Sequence, residues 1–113
     1  MRVLIVDDDP SVGEALGKLF GQSGHAVRWA PDAEAALTSV REELPDLVLL
    51  DLLLGAGPSL ELIPRLGVAR VYVITALQPS RVLRDAASAA GALALLSKSI
   101  GPAELLRAVG CAP

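Results

Sequence analysis

Acidic, hydroxyl and ammonium side chains recur in this sequence at or just beyond the ends of short apolar runs. Asp7 and Asp8 follow one run, Asp51 follows a second, Thr75 ends a third, and Lys98 comes shortly after a fourth. Asp51 stands alone inside the stretch VLLDLLLG. Burying an unpaired carboxylate costs several kcal/mol or more, so this aspartate needs a partner or a chemical role.

These side chains share one crevice if the apolar runs are neighbouring parallel strands. Three carboxylates in such a crevice repel one another unless a cation is present, and a hard divalent ion with oxygen ligands meets that need. Mg²⁺ is the expected ion, with Mn²⁺ as the alternative. With the cation in place, Asp51 has the environment of an aspartyl nucleophile that accepts a phosphoryl group. Thr75 can then donate its hydroxyl to one phosphoryl oxygen, and Lys98 can neutralise another.

Five apolar runs provide the strands that would position these residues. Four of them do not alternate apolar with polar residues, which is typical of strands covered on both faces. The run AVRWA does alternate, as an edge strand would. The five runs span residues 3–6, 26–30, 47–50, 71–75 and 93–96.

Helical patterns fill the segments between the runs. Apolar residues spaced along one face from Val12 to Phe20 predict a first helix, with Ser11 and Glu14 spaced as a capping box. Acid-rich turns also cap helices, and Asp9 is expected to cap one that begins at Pro10. The other helices are predicted over residues 31–40, 60–66, 79–91 and 102–109.

Alternating strands and helices with short connections predict a parallel sheet with helices on both faces. We expect one domain over residues 1–113 with an α/β, flavodoxin-like (βα)5 fold. This is a three-layer sandwich with strand order 2-1-3-4-5. In such sheets the functional crevice lies beyond the carboxyl ends of the strands, where the candidate residues lie.

Composition excludes several other classes of protein. The 113 residues are 52% hydrophobic but only 3% aromatic, and the net charge of -3 comes without any basic cluster that would predict direct nucleic-acid binding. Cys111 and His25 are each the only residue of their type, which excludes an internal disulfide, a Cys/His zinc site and a histidine-based catalytic dyad. The first apolar run is too short for a signal peptide or a membrane span, so we expect a cytoplasmic protein without membrane contact.

The whole chain resembles the receiver domain of bacterial two-component response regulators. LIVDDD is similar to the acidic pair of that family, DLVLLDLLL to its phospho-acceptor strand, VITA to its Thr/Ser-Ala step, and GALALLSK to its last strand ending in lysine. The resemblance implies that Asp51 accepts a phosphoryl group from a sensor histidine kinase or a histidine phosphotransfer protein. Such a domain is a phosphoryl acceptor that catalyses its own phosphorylation and dephosphorylation, and it is not an ordinary enzyme.

The resemblance also assigns the metal ligands. Asp8, Asp51 and the main-chain carbonyl of Leu53 would bind Mg²⁺ directly, and Asp7 would bind it mainly through water. Thr75 would move toward the phosphoryl group. The signal would pass to a downstream protein target or to an output domain outside this sequence, and a phosphorylation-dependent dimer is an open alternative.

Several positions depart from the family pattern. Gly55 replaces a common proline, Ser59 a common glycine, and Ser99 the proline that usually follows the lysine. Leu95 replaces the aromatic residue that usually rotates inward with the threonine, so the route from the crevice to the surface of the fourth and fifth helices is altered.

Two further leucines bear on how long the phosphoryl group persists. Leu53 and Leu77 occupy positions that flank the path of an attacking water in this family, and both are aliphatic here. We expect them to exclude water and to slow loss of the phosphoryl group.

Two other functions stay open at the level of sequence. The DxDxS pattern in DDDPSV is similar to the first motif of haloacid dehalogenase phosphatases, which would make Asp7 the nucleophile of a small phosphatase. That alternative leaves Asp51 unexplained. The second alternative is a receiver-like binding module that is never phosphorylated, and Leu95 is its main support.

Overall fold

Five parallel strands form one sheet, covered by helices on both faces, in the computed structural model, which describes residues 1–55 and 57–111. The strands are β1 (Arg2–Val6), β2 (Ala26–Ala30), β3 (Leu47–Asp51), β6 (Val71–Thr75) and β7 (Ala94–Ser97), and a hairpin of β4 (Leu53–Leu54) and β5 (Gly57–Pro58) follows β3. The helices are α1 (Pro10–Gln22), α2 (Ala33–Glu42), α3 (Leu62–Leu66), α4 (Arg81–Ala90) and α5 (Pro102–Ala108).

The sheet order is β2-β1-β3-β6-β7, which is the predicted order 2-1-3-4-5 when only the strands of this sheet are counted. The register pairs Val6 of β1 with Leu50 of β3. Asp7 and Asp51 are therefore the next residues on two adjacent strands. Topology and register together bring these two carboxylates to the same edge of the sheet.

Two apolar clusters separate the sheet from its helices. Leu4, Val48 and Leu50 face one cluster with residues of α2, α3 and α4. Ile5 and Leu49 face the other, which includes residues of α1 and α5. The alternation places successive residues of a strand on opposite faces, so β3 is buried on both sides and only its carboxyl end reaches the crevice.

The helices α2, α3 and α4 each begin two residues later than their predicted ranges, whereas α1 begins at Pro10 as expected. The expected cap of α1 by Asp9 is confirmed, because the Oδ1 of Asp9 accepts from the main-chain N–H of Ser11 at 2.9 Å. The predicted capping box is wrong, and Glu14 instead pairs with Lys18 at 3.3 Å. Asp32 caps α2 by accepting from Ala35 N at 2.7 Å, so this helix begins after residue 31 and not at it.

The strands differ less. β7 begins one residue later than its apolar run, at Ala94, and the hairpin of β4 and β5 was not predicted. Among the described helices, none is long and apolar enough to cross a membrane.

Candidate functional site

Three carboxylates meet where β1 and β3 end. Asp7 is fully buried, Asp51 is 6% exposed, and Asp8 lies exposed at the mouth of the crevice. One oxygen from each side chain lies within 4.8 Å of the other two. The predicted acidic cluster therefore forms, and its residues come from two adjacent strand ends.

Lys98 links two of these carboxylates. Its Nζ lies 2.8 Å from Asp7 Oδ2 and 3.3 Å from Asp51 Oδ2. Within the described residues, this ammonium is the only partner of the buried Asp7 oxygen. The main-chain N–H of Lys98 donates to the Thr75 carbonyl at 2.8 Å, so the loop that carries the lysine is fixed to the end of β6.

The charges of the crevice do not balance within the protein. Burial raises the pKa of Asp51 above its ordinary value, the charge of Asp7 raises it further, and Lys98 opposes both effects only in part. Burial by itself lowers the pKa of Lys98, but its hydrogen bond to Asp7 and the charges of Asp51 and Asp7 outweigh that effect and hold it above its ordinary value. One ammonium thus faces three carboxylates, and the crevice would gain from a further cation.

Main-chain N–H groups hold the carboxylates in place. Asp7 Oδ1 accepts from Asp9 N at 2.9 Å, and Asp51 Oδ1 lies 3.4 Å from Leu53 N. Asp8 Oδ2 accepts from Gly55 N at 3.2 Å. Gly55 has a φ of 67°, a left-handed conformation that favours glycine, and the hairpin thereby reaches back to the acidic loop.

Thr75 and two leucines complete the surroundings. Thr75 is buried, and its Oγ1 accepts from Leu77 N at 3.0 Å, which leaves the hydroxyl proton available for donation. Leu53 is 45% exposed and Leu77 is 48% exposed, in the loops that follow Asp51 and Thr75. Each of these aliphatic side chains lies two residues after a polar residue of the crevice and is open to solvent.

Two residues of the surroundings were not assigned a role from sequence. The Ser59 hydroxyl, which is buried, contacts the main-chain carbonyls of Asp51 and Leu52 and so anchors the segment after β3. The indole N–H of Trp29 donates to the Asp7 carbonyl at 2.8 Å. A serine at a common glycine position was a visible signal, whereas the contact of Trp29 depends on strand order and could not be inferred from spacing.

The donor set fits a hard divalent cation. Carboxylate oxygens are ligands that Mg²⁺ prefers, and three of them converge here with a buried oxygen whose only described partner is Lys98. Leu53, whose carbonyl the sequence resemblance adds to the ligands, lies directly beyond Asp51 at the start of the hairpin. This acidic crevice lies beyond the carboxyl ends of the strands of a doubly covered parallel sheet, which is where such sheets bind their ligands.

Comparison with known proteins identifies the family. The response regulator receiver domain family matches residues 3–110, and the chain belongs to that family. It is therefore a receiver domain of the kind used in two-component signalling.

Solved receiver structures share the fold over almost the whole chain. The BeF3-activated receiver domain of Klebsiella pneumoniae RstA has a TM-score of 0.89 and 27% identity, covering 97% of this chain and 96% of that one. A Burkholderia pseudomallei response regulator, solved with a phosphorylated aspartic acid, a calcium ion and citrate, has a TM-score of 0.87 and 28% identity over 96% of this chain and 65% of that one.

Among curated proteins, the chain is similar to a transcriptional activator, ExaE of Pseudomonas putida, with 38% identity over 96% of this chain. The chain spans about half of ExaE, 53% of its length. A second match, to MtrA from Mycolicibacterium smegmatis at 51% identity, covers 47% of this chain and 23% of MtrA.

Proposed function

We propose that Asp51 accepts a phosphoryl group, in a Mg²⁺-dependent reaction, from the phosphohistidine of a sensor histidine kinase or a histidine phosphotransfer protein. The observation that carries this proposal is the surroundings of Asp51. Its carboxylate is 6% exposed at the end of β3, its oxygen lies within 4.8 Å of oxygens from Asp7 and Asp8, and Lys98 is 3.3 Å away. A carboxylate in this setting has a charge environment suited to a nucleophile.

Asp8, Asp51 and the Leu53 carbonyl would hold the ion directly, with Asp7 acting mainly through water. When bound, the ion screens the negative charge shared by the carboxylates and the incoming phosphoryl oxygens. Mn²⁺ would serve the same site. Asp8 is exposed, so an ion could reach this carboxylate from solvent.

In the proposed transfer, a carboxylate oxygen of Asp51 forms a bond to phosphorus as the bond between phosphorus and the donor imidazole nitrogen breaks. The imidazole leaves with the electron pair of that bond and takes up a proton. Thr75 would donate its hydroxyl proton to a phosphoryl oxygen, and Lys98 would move part of its pairing from the carboxylates to another oxygen. Both groups stabilise charge where it accumulates.

Phosphorylation would then change protein contacts. The phosphorylated aspartate of the Burkholderia protein and the BeF3-activated state of RstA support this proposal by similarity. Because the chain spans about half of the transcriptional activator ExaE, its output would be either a downstream protein target or a further domain. A phosphorylation-dependent dimer is a further form of output.

The phosphatase alternative is weakened by the environment of Asp7. That carboxylate is fully buried, with Oδ1 accepting from Asp9 N and Oδ2 paired with Lys98. A nucleophile needs a free, approachable oxygen, and Asp7 offers none in this arrangement. The alternative of an unphosphorylated binding module depends on Leu95, which is buried at the centre of β7.

The test is to incubate the protein with phosphoramidate or acetyl phosphate, with and without Mg²⁺, and to map adducts by intact mass and peptide analysis. We expect one Mg²⁺-dependent adduct on Asp51, absent from Asp51→Asn. An adduct on Asp7 with steady release of phosphate would instead indicate a phosphatase. No adduct from any donor would indicate a binding module.

A further inference from the structure

Trp29 is the single tryptophan of the chain, and it contacts the acidic loop from the edge strand β2. Its side chain is 44% exposed, so the residue is not explained by burial in the core. Its indole N–H donates to the main-chain carbonyl of Asp7 at 2.8 Å. The ring therefore acts on the backbone between the two acidic residues of this loop.

The Asp7 backbone is held by β2 on both sides. The main-chain N–H of Asp7 donates to the Ala30 carbonyl at 3.1 Å, and its carbonyl accepts from Trp29. A peptide group is planar, so fixing the direction of this carbonyl also fixes the peptide that leads into Asp8. Asp8 has no comparable support from burial, because its side chain is exposed.

Gly13 of α1 supplies a second, independent observation. A Cβ built at this position would lie 2.8 Å from Cδ1 and Nε1 of the Trp29 ring, which is closer than real carbon contacts allow. Glycine is unfavourable inside a helix relative to alanine, so its presence in α1 needs a local reason. The reason is space, because the indole can reach the Asp7 carbonyl only if α1 has no side chain there.

We propose that Trp29 is a positioning residue for the metal site, which orients the peptide between Asp7 and Asp8 through its indole N–H, and that Gly13 provides the space for the ring. This inference rests on the proposed function, since it assumes that Asp8 binds a divalent cation. The edge strand β2 would thus contribute to cation affinity through a residue that is not itself a ligand.

The test measures Mg²⁺ affinity by isothermal titration calorimetry on the whole chain. Two replacements remove the N–H donor: Trp29→Phe, and incorporation at position 29 of 3-benzothienylalanine, a tryptophan isostere with sulfur in place of the N–H. The second keeps the size of the ring. We expect each replacement to raise the Mg²⁺ dissociation constant roughly 3- to 10-fold, as for loss of a hydrogen bond that orients a ligand.

Val27→Ala is the matched control for stability. Val27 lies on the same strand and packs against the cluster under α1, so its truncation should lower the unfolding temperature without changing Mg²⁺ affinity. Gly13→Ala should weaken Mg²⁺ binding in the wild-type background, and it should have no such effect when Trp29 is alanine. In the wild type, Trp29 emission should change over the same Mg²⁺ range as the calorimetric signal, and Asp8→Asn should abolish both.

Failure of this inference can be told apart from failure of the proposed function. Suppose that the wild-type protein binds Mg²⁺ and that the dissociation constants of both N–H-deleted variants lie within twofold of the wild-type value. Trp29 then only packs against α1, and its proposed positioning role is overturned. If the wild-type protein itself shows no Mg²⁺ binding, the proposed metal site fails and the role of Trp29 fails with it.

Discussion

Lys98 is the residue on which the charge balance of the crevice depends. Its ammonium contacts both Asp7 and Asp51, and its side chain is only 22% exposed. Breaking a buried ion pair from one side is costly because the remaining carboxylate keeps its charge without a partner. The lysine is thus a structural element of the metal-free protein as well as a candidate catalytic group.

Lys98→Met should lower the free energy of unfolding of the metal-free protein by about 2–4 kcal/mol. Lys18→Met is the matched control, because Lys18 pairs with Glu14 across exposed turns of α1, where an ion pair is worth about 0.5 kcal/mol or less. Urea unfolding in EDTA measures both. Equal losses in the two variants would mean that Lys98 does not neutralise the buried carboxylates.

Leu53 and Leu77 give a prediction about the lifetime of the proposed aspartyl phosphate. Leu53→Asn and Leu77→Asn should each speed autodephosphorylation roughly tenfold, since one hydrogen bond that positions an attacking water is worth about 1.4 kcal/mol in the barrier. The rate is followed by loss of label from Asp51 after the donor is removed. Leu44→Asn is the control, because Leu44 is exposed and precedes the start of β3, whereas Asp51 lies at the other end of that strand. Unchanged rates in both test variants would show that the leucines do not control water access.

Cys111 gives a prediction about pH. Its thiol is buried beneath the sheet, and burial raises the pKa of this group, with the charge of Arg70 opposing. A raised pKa in the folded state means that the contribution to stability is complete below the unfolded pKa of about 8.5 and declines as the pH rises through the folded value. Between pH 7 and pH 10, wild-type protein should therefore lose more stability than Cys111→Ala. Equal losses of unfolding free energy in the two proteins over this pH range would contradict a raised pKa for Cys111.

At the scale of elements, the helices depend on short polar caps. Asp32 precedes α2 and its Oδ1 accepts from Ala35 N at 2.7 Å. Asp32→Ala should cost about 1 kcal/mol of stability, while Asp32→Asn should cost much less because an amide oxygen can accept the same bond. Equilibrium urea unfolding of the two variants tests this. A similar loss in both would point to charge, and not to the hydrogen bond, as the source of the effect.

The predicted elements were correct where one physical signal dominated. Buried strands such as β6 follow from unbroken apolar runs, and α4 with its caps Ser80 and Gly91 lies within the predicted range 79–91. The hairpin of β4 and β5 could not be predicted, because its strands have two residues each and depend on the left-handed backbone of Gly55. The sequence offered two caps for α1, and the one expected from Asp9 is confirmed, whereas the capping box predicted for Ser11 and Glu14 is wrong.

The charged residues of the candidate site could be predicted from strand order, whereas the contacts that support them could not. Parallel strands of known order place Asp7, Asp51 and Lys98 together without any detailed coordinates. Contacts that arise from packing across elements leave no local pattern in a sequence. The hydrogen bond from Trp29 to the acidic loop and the contact of Ser59 with the main chain at the end of β3 are of this second kind.

At the scale of the whole molecule, binding of a cation to the folded state alone should stabilise the entire domain. In 10 mM Mg²⁺ the unfolding temperature should rise, and the gain in free energy should follow the logarithm of the Mg²⁺ concentration above the dissociation constant. Asp8→Asn should remove most of this gain while changing metal-free stability little, since Asp8 is exposed. Thermal unfolding across a Mg²⁺ titration measures it.

Asp85→Asn is the control for that experiment, because Asp85 is an exposed acid on α4 that pairs only loosely with Arg81, at 3.9 Å. It should keep the full response to Mg²⁺. If Asp8→Asn responds like this control, the ion stabilises the protein through general screening and not through the crevice.

The ammonium of Lys98 between Asp7 and Asp51 also bears on how the chain matures. A newly synthesised chain carries its own counter-ion into the crevice, so folding can finish before any divalent cation arrives. Loading with the proposed cation would then be a late and reversible event, governed by the concentration of free ions around the finished domain. The same molecule could gain and lose that ion many times during its life without passing through an unfolded state.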